Sequence, residues 1–456
     1  MTVRGRKQVG KSWLVSEFLD RYHGPSVYFD AHGYTETREL ERFRAALASS
    51  TLPSANLAQG SVTFGDWEAA LLAAAGNATP ESPTIIVIDE FPDLCDKRTG
   101  AGTGFSPQEG SVRAAWRRLE QQPVVLILIG SDLAMMERLA VYGAPLYQRP
   151  TREMVVPPLS PLETSRIVRR AATDALDAYL VTGGFPKIVR LWHGGGLEAF
   201  LEEVLADPQS DFAQTGARIL DAEFPSNVGA RTVLSVIGAG ERTNKGISAG
   251  TGIGTTNLTG QKGPLSILEQ KRIVSSALPL STAGSSDRRY RVSDPYLRFW
   301  LRFIEPRMGE IERGLGPTVA GQIAQAFPDY RGQAIEPLIR ESLERLSIAG
   351  DATLEGARSV GSFWTRNNAI EVDLVGADRT EPPADSIAFV GTIKWRSRDR
   401  LGGSDISDLA AAVPHIAGAS AATRLVAVSR AGFDRRIAAP VRRVTPEEIL
   451  EAFPAD

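Results

Sequence analysis

Residues 5–12 read Gly-Arg-Lys-Gln-Val-Gly-Lys-Ser, two glycines separated by four residues and followed at once by a lysine and a hydroxyl. That spacing suits one task. Glycines let successive backbone N–H groups wrap an anionic phosphate, Lys11 places a charge at the terminal phosphates, and the Ser12 hydroxyl is placed for Mg²⁺. Helical periodicity in Ser12–Tyr22 makes the loop open a helix, as this chemistry requires. A second group lies downstream, where the apolar run Ile85–Ile88 ends in Asp89-Glu90. Acids at the end of a buried strand lie where open α/β sheets bind ligands. Asp89 would reach the metal, and Glu90 would orient or deprotonate an attacking water.

These residues point to a P-loop NTPase acting on ATP with Mg²⁺. Ser12 and Asp89 are the metal candidates. Gly5, Gln8, Val9, Gly10, Lys11, Ser12 and Trp13 are the nucleotide contacts, and Lys11 and Glu90 the catalytic pair. Another apolar run ends in Gly130-Ser131-Asp132, where a polar residue such as Ser131 can sense the last phosphate or position water. Arg149 and Arg152 follow as candidate arginine fingers, acting in cis or from a neighbouring subunit, so oligomerisation stays open. Before Gly5 stand only residues 1–4, which predicts a very short first strand or a chain that begins late.

Positioning such a loop takes a parallel sheet covered on both faces. Segments 26–31, 84–90 and 124–130 are apolar on both faces, as strands of that kind are, with helical patterns at 37–47 and 67–75 between them. The polar, glycine-rich stretch 98–110 reads as a loop. At roughly 100–200 residues per domain, 456 residues imply three or four domains. A net charge of −3 excludes a uniformly basic nucleic-acid binder, and the single cysteine, Cys95, excludes a disulfide scaffold. No apolar run reaches membrane-spanning length, which predicts a cytoplasmic protein with no membrane partner.

The expected division is a P-loop core at 1–155, a helical lid at 156–222, a winged helix at 223–305 and a mixed α/β domain at 306–456. In the third segment two helices precede a strand pair at 272–277 and 288–292. A recognition helix near 255–268 would bring Lys245, Lys262, Lys271 and Arg272 toward double-stranded DNA phosphates. The last segment predicts an amphipathic helix at 333–346 and strands at 369–375, 386–393 and 423–428.

GRKQVGKS, IIVIDEFPDL, Gly130-Ser131, APLYQRPTRE, PLSPLE, GGFPKIV, YRVSDPYLRFWLRF and FVGTIKW run in this order along the chain. In these motifs it resembles a predicted-ATPase family of archaea and bacteria, close to AAA+ and the signal-transducing STAND ATPases. Members carry a C-terminal domain of unknown function similar to restriction endonucleases. The resemblance implies that Gly183-Gly184-Phe185-Pro186 is the lid turn, with Pro186 near base and phosphates, and that Phe299, Trp300 and Phe303 are core aromatics. It also implies a nuclease-like site of Glu336, Glu371, Asp373 and Lys394, in which Glu371 and Asp373 share a strand face. The family usually has Glu two places before that lysine. This chain has Thr392, a poor Mg²⁺ ligand, so the site reads as degenerate. The expected function is a nucleotide-driven switch. An ATP-dependent nuclease, a nonhydrolytic DNA- or protein-binding adaptor and a small-molecule kinase are the competing readings.

Overall fold

The computed structural model describes residues 1–52, 63–76, 78–95, 105–131, 133–224, 227–435, 437 and 440–453. Asp132 and most of the expected 98–110 loop lie outside the described residues. The chain forms two compact units, Met1–Pro157 and Pro158–Asp456.

The first unit is an α/β fold. Strands β1 (Thr2–Arg4), β2 (Ser26–Asp30), β3 (Thr84–Asp89), β4 (Val124–Gly130) and β5 (Glu153–Val155) form one parallel sheet in the order β2-β3-β4-β1-β5. All six residues of β3 are buried, because both sheet faces are covered. Ile86 and Ile88 pack with Leu126, Leu128, Phe43 and Trp67 on one face. Ile85 and Val87 pack with Val3, Ile127, Ile129 and Val15 on the other, under helix α1 (Lys11–Tyr22). Side chains alternate with period two, so Asp89 continues the α1 side and Ser131 continues that side of β4.

Helices form at Glu36–Ala48 and Trp67–Ala75, close to the expected spans. Part of the expected 98–110 loop is instead the start of helix Pro107–Leu119. Ser106 accepts from Glu109 N and Glu109 reaches back to Ser106 N, a capping box ahead of proline at the first helical turn. β5, which pattern reading passed over, is a three-residue exposed edge strand with too little apolar sequence to signal itself.

The second unit begins with helices, among them Pro161–Val168, Ala172–Thr182 and Asp211–Glu223. An added Cβ at Gly183 (φ +62°) would come 2.8 Å from Tyr296, and one at Gly184 (φ +71°) 2.1 Å from Leu159 O, so both glycines are needed in the turn before Pro186. Phe299, Trp300 and Phe303 are buried, and the Trp300 indole donates to Ala213 O at 2.7 Å. Helices Val228–Ala239 and Asn244–Thr251 precede the antiparallel hairpin β6 (Val274–Ala277) and β7 (Arg289–Val292).

The helix expected across 255–268 is two pieces, Thr255–Thr259 and Pro264–Gln270. Gly263 stands before Pro264 in extended backbone, which the following ring enforces. The expected helix at 333–346 is likewise divided, into the end of Gly316–Ala334 and Glu336–Ile348. A mixed sheet closes the chain in the order β12 (Val441–Val444), β11 (Arg424–Ser429), β10 (Ile387–Lys394), β9 (Glu371–Ala377) and β8 (Ser359–Trp364). No helix among the described residues is long and apolar enough to cross a membrane.

Candidate functional site

The loop at 5–12 joins the C-terminal end of β1 to the first turn of α1. Gly10 adopts φ 93° at the helix N-cap with no side-chain cap, so no side chain occupies the first N–H groups of α1 there. Gln8 also takes positive φ, 68°. Gly5 answers a packing demand, because a Cβ there would lie 2.3 Å from Val156 O at the exit of β5. Lys11 is buried and its Nζ donates to Arg6 O at 3.0 Å. Burial lowers the Lys11 pKa, Glu90 and Asp89 oppose that shift, and Lys7 adds to it. Lysine, both acids and the loop thus share one end of the sheet.

Asp89 and Glu90 are each held by neutral donors. Asp89 Oδ1 accepts from Glu90 N at 2.8 Å, and Oδ2 accepts from the Tyr28 hydroxyl. Burial first, then the hydrogen bond to Asp89, raises the Tyr28 pKa, while a bond from Ser12 works against the rise. Tyr28 therefore joins the two residues expected at the metal. Glu90 has φ 48°, which turns its side chain out of the strand line. Its Oε2 accepts from Ser131 N at 3.1 Å and Ser131 Oγ at 2.8 Å. Ser131 is thus a partner of Glu90.

Val9 is buried within the loop and Trp13 is 65% exposed on α1. Arg149 and Arg152 are not brought to this end. Arg152 O accepts from Thr2 N ahead of β5, and Arg149 lines a small cavity with Met1 and Leu126. Those positions mark the N-terminal ends of the parallel strands, opposite the loop, so the cis arginine-finger arrangement is corrected. The segment just ahead of β5 carries both arginines to that edge. Pro186 belongs to the second unit and opens helix Pro186–Val189.

Around β9 and β10 the expected nuclease-like residues lie near one another, and three of the four, Glu336, Glu371 and Lys394, have their charges already matched. Glu371 accepts from Arg289 at 2.6 Å, and Glu336 from Arg340 at 2.8 Å. Lys394 Nζ lies 3.1 Å from both oxygens of Asp405, a residue the pattern reading did not single out. Asp373 Oδ2 accepts from Ile393 N at 2.8 Å and from Thr392 Oγ1 at 3.2 Å. Burial raises the Asp373 pKa to about 6, helped by nearby Glu336. The β8–β9 register shifts between Gly361 and Phe363. Glu371 and Asp373 line the same small cleft of about 170 Å³, yet their carboxylates take different partners. No group of three or more His, Cys, Asp or Glu suited to a metal occurs among the described residues. Lys271, a proposed DNA contact, is paired to Glu223 at 2.8 Å.

A family model, DUF234, described as archaeal and bacterial proteins of unknown function, matches residues 300–405. The matched stretch contains Glu336, Glu371, Asp373, Thr392, Lys394 and Asp405. Over 410 residues the chain is 24% identical to an uncharacterized protein of Methanocaldococcus jannaschii, covering 88% of this chain and 84% of that one. Among solved structures, a Walker-type ATPase of Pyrococcus abyssi aligns with TM-score 0.38 and 17% identity, covering 66% of this chain and 90% of its own. The ORC2 protein of Aeropyrum pernix, in its ADPNP–ADP complexes, aligns with TM-score 0.38 and 13% identity, covering 68% and 88%.

Proposed function

We propose that this chain binds and hydrolyses ATP and works as a switch of the AAA+/STAND-like predicted-ATPase type. The observation that carries the reading is the gathering of Lys11, Ser12, Asp89 and Glu90 at one sheet end, with Glu90 held by two donors from Ser131. ATP would lie on the 5–12 loop and the start of α1. Glu90, fixed through Oε2, keeps its other oxygen available to accept a proton from an attacking water. Ser12 and Asp89 fit a Mg²⁺ ion, since that ion takes few protein ligands and completes its shell with phosphate oxygens and water. The ion would neutralise charge on the transferred phosphoryl group. Tyr28 positions Asp89 against Ser12. Arg149 or Arg152 would act only from a neighbouring subunit.

In this reading the helical segment with Pro186 is the lid. The helices and hairpin of 223–305 form a winged helix that can meet double-stranded DNA, and residues 306–456 form a restriction-endonuclease-like module. Nucleotide state would set the positions of these parts. The pairing of Glu371, Glu336 and Lys394 with charged neighbours favours a module that grips over one that cuts. Thr392→Glu tests this, since Mg²⁺-dependent cleavage by that variant alone would mark a lost ligand on a competent scaffold. The main test is ATP binding and turnover by the purified chain, with Lys11→Ala and Glu90→Gln beside it. Loss of binding in the first and retained binding without turnover in the second support the switch. Wild-type protein that neither binds nor hydrolyses ATP refutes it.

A further inference from the structure

A cavity of about 340 Å³ within the second unit is lined by six arginines, Arg242, Arg289, Arg291, Arg298, Arg302 and Arg340. Three carboxylates, Asp329, Glu336 and Glu371, line it as well. Two of the arginines are matched, Arg289 to Glu371 and Arg340 to Glu336. Among the described residues the other four form no salt bridge. Arg291 donates to Ser275 Oγ at 3.1 Å, Arg298 to Ala334 O at 2.7 Å, and Arg302 to Ala239 O. Burial first, then the neighbouring Arg340 and Arg298 cations, brings the Arg291 pKa down to about 10. Gathering six guanidinium groups against three carboxylates in a partly buried space leaves an excess of positive charge that costs stability unless an anion completes the set.

We propose that this cavity is a binding site for a small phosphorylated molecule of nucleoside-monophosphate size. Guanidinium forks match phosphate oxygens in pairs, and a phosphate monoester carries close to two negative charges. The volume falls in the range of small-molecule pockets, about 300–1,000 Å³. Phe303, Tyr330 and Trp364 also line it, which gives the organic part an aromatic wall. Phe303 comes from the helical segment Trp300–Ile304, Tyr330 from helix Gly316–Ala334 and Trp364 from strand β8, while Arg289 and Arg291 come from the hairpin strand β7. A ligand there would bridge the hairpin to the nuclease-like sheet, close to Glu336 and Glu371.

The test uses the full chain carrying Lys11→Ala, so that the nucleotide loop does not compete, titrated calorimetrically with 5′-AMP, adenosine and inorganic phosphate. One-to-one binding of 5′-AMP is expected, with adenosine far weaker. Arg242→Gln with Arg302→Gln should weaken it about ten- to a hundredfold, the loss typical of hydrogen bonds to charged groups. Thermal melting checks the fold of the double variant, and Arg302→Gln alone, changing an exposed residue, should show a smaller loss in the same direction. Absence of 5′-AMP binding at millimolar concentration, equal binding of adenosine, or binding unchanged in the folded double variant would each overturn the proposal.

Discussion

Two strands of this chain carry close-set acids under contrasting electrostatics. At the end of β3, Asp89 and Glu90 are oriented by a tyrosine hydroxyl, a serine and backbone N–H groups, and Lys11 is hydrogen-bonded to a backbone carbonyl. Around β9, Glu371 is paired with Arg289, Glu336 with Arg340 and Lys394 with Asp405. Neutral donors fix an acid's direction and leave its charge for a metal or a proton, whereas an arginine consumes that charge. The same residue types therefore make an open site in one place and a largely self-neutralised one in the other.

The widest separation of the two sites should come from Glu90→Gln. Loss of a general base lowers turnover about 10²–10⁴-fold while ATP binding remains, read by steady-state hydrolysis and equilibrium binding. Turnover that survives this change would place catalysis elsewhere and remove the contrast.

Next in size is the pH dependence that Asp373 confers. Its folded-state pKa is about 6, against roughly 3.9 in the unfolded chain. The folded protein therefore holds the extra proton, and stability falls as pH rises from about 4 to about 6 and levels off above. Asp373→Asn should remove that fall and stabilise the protein near pH 7 by up to about 3 kcal/mol. Denaturation midpoints at pH 4.5 and pH 7 decide it, and an unchanged difference between the two pH values would mean that Asp373 is not held protonated.

Ser131→Ala should cost about tenfold in turnover with little change in KM, since Glu90 keeps one of its two donors, Ser131 N. The smallest effect belongs to Glu371→Gln. Glu371 is 48% exposed in its pair with Arg289, so solvent screening holds the loss to about 0–1 kcal/mol in thermal or chemical melts. A larger loss would show that the β9 pairs stabilise the fold more than exposed pairs do.

Much of the first unit was legible because its signals are local. The 5–12 loop is contiguous, the strands at 26–30, 84–89 and 124–130 each centre on a short apolar run, and an acid at a parallel strand end has a known direction. Legibility dropped where the signal was weak or interrupted. β5 has three exposed residues, and Gly263-Pro264 divides a stretch that periodicity alone reads as one helix.

By itself the sequence determined the glycine-rich loop at 5–12 and the acids at the end of β3, because each depends on residue type at fixed short spacing, while the reading of Thr392 rested on the family resemblance. Only the tertiary structure decided which groups meet. Tyr28 reaches Asp89 through the β2–β3 register, and Ser131 reaches Glu90 because β4 lies beside β3. Lys394 turns to Asp405, eleven residues on, and residues from Arg242 to Glu371 line one cavity. Such contacts follow from strand order, register and helix packing, which bring together groups far apart in the chain and which no local pattern encodes.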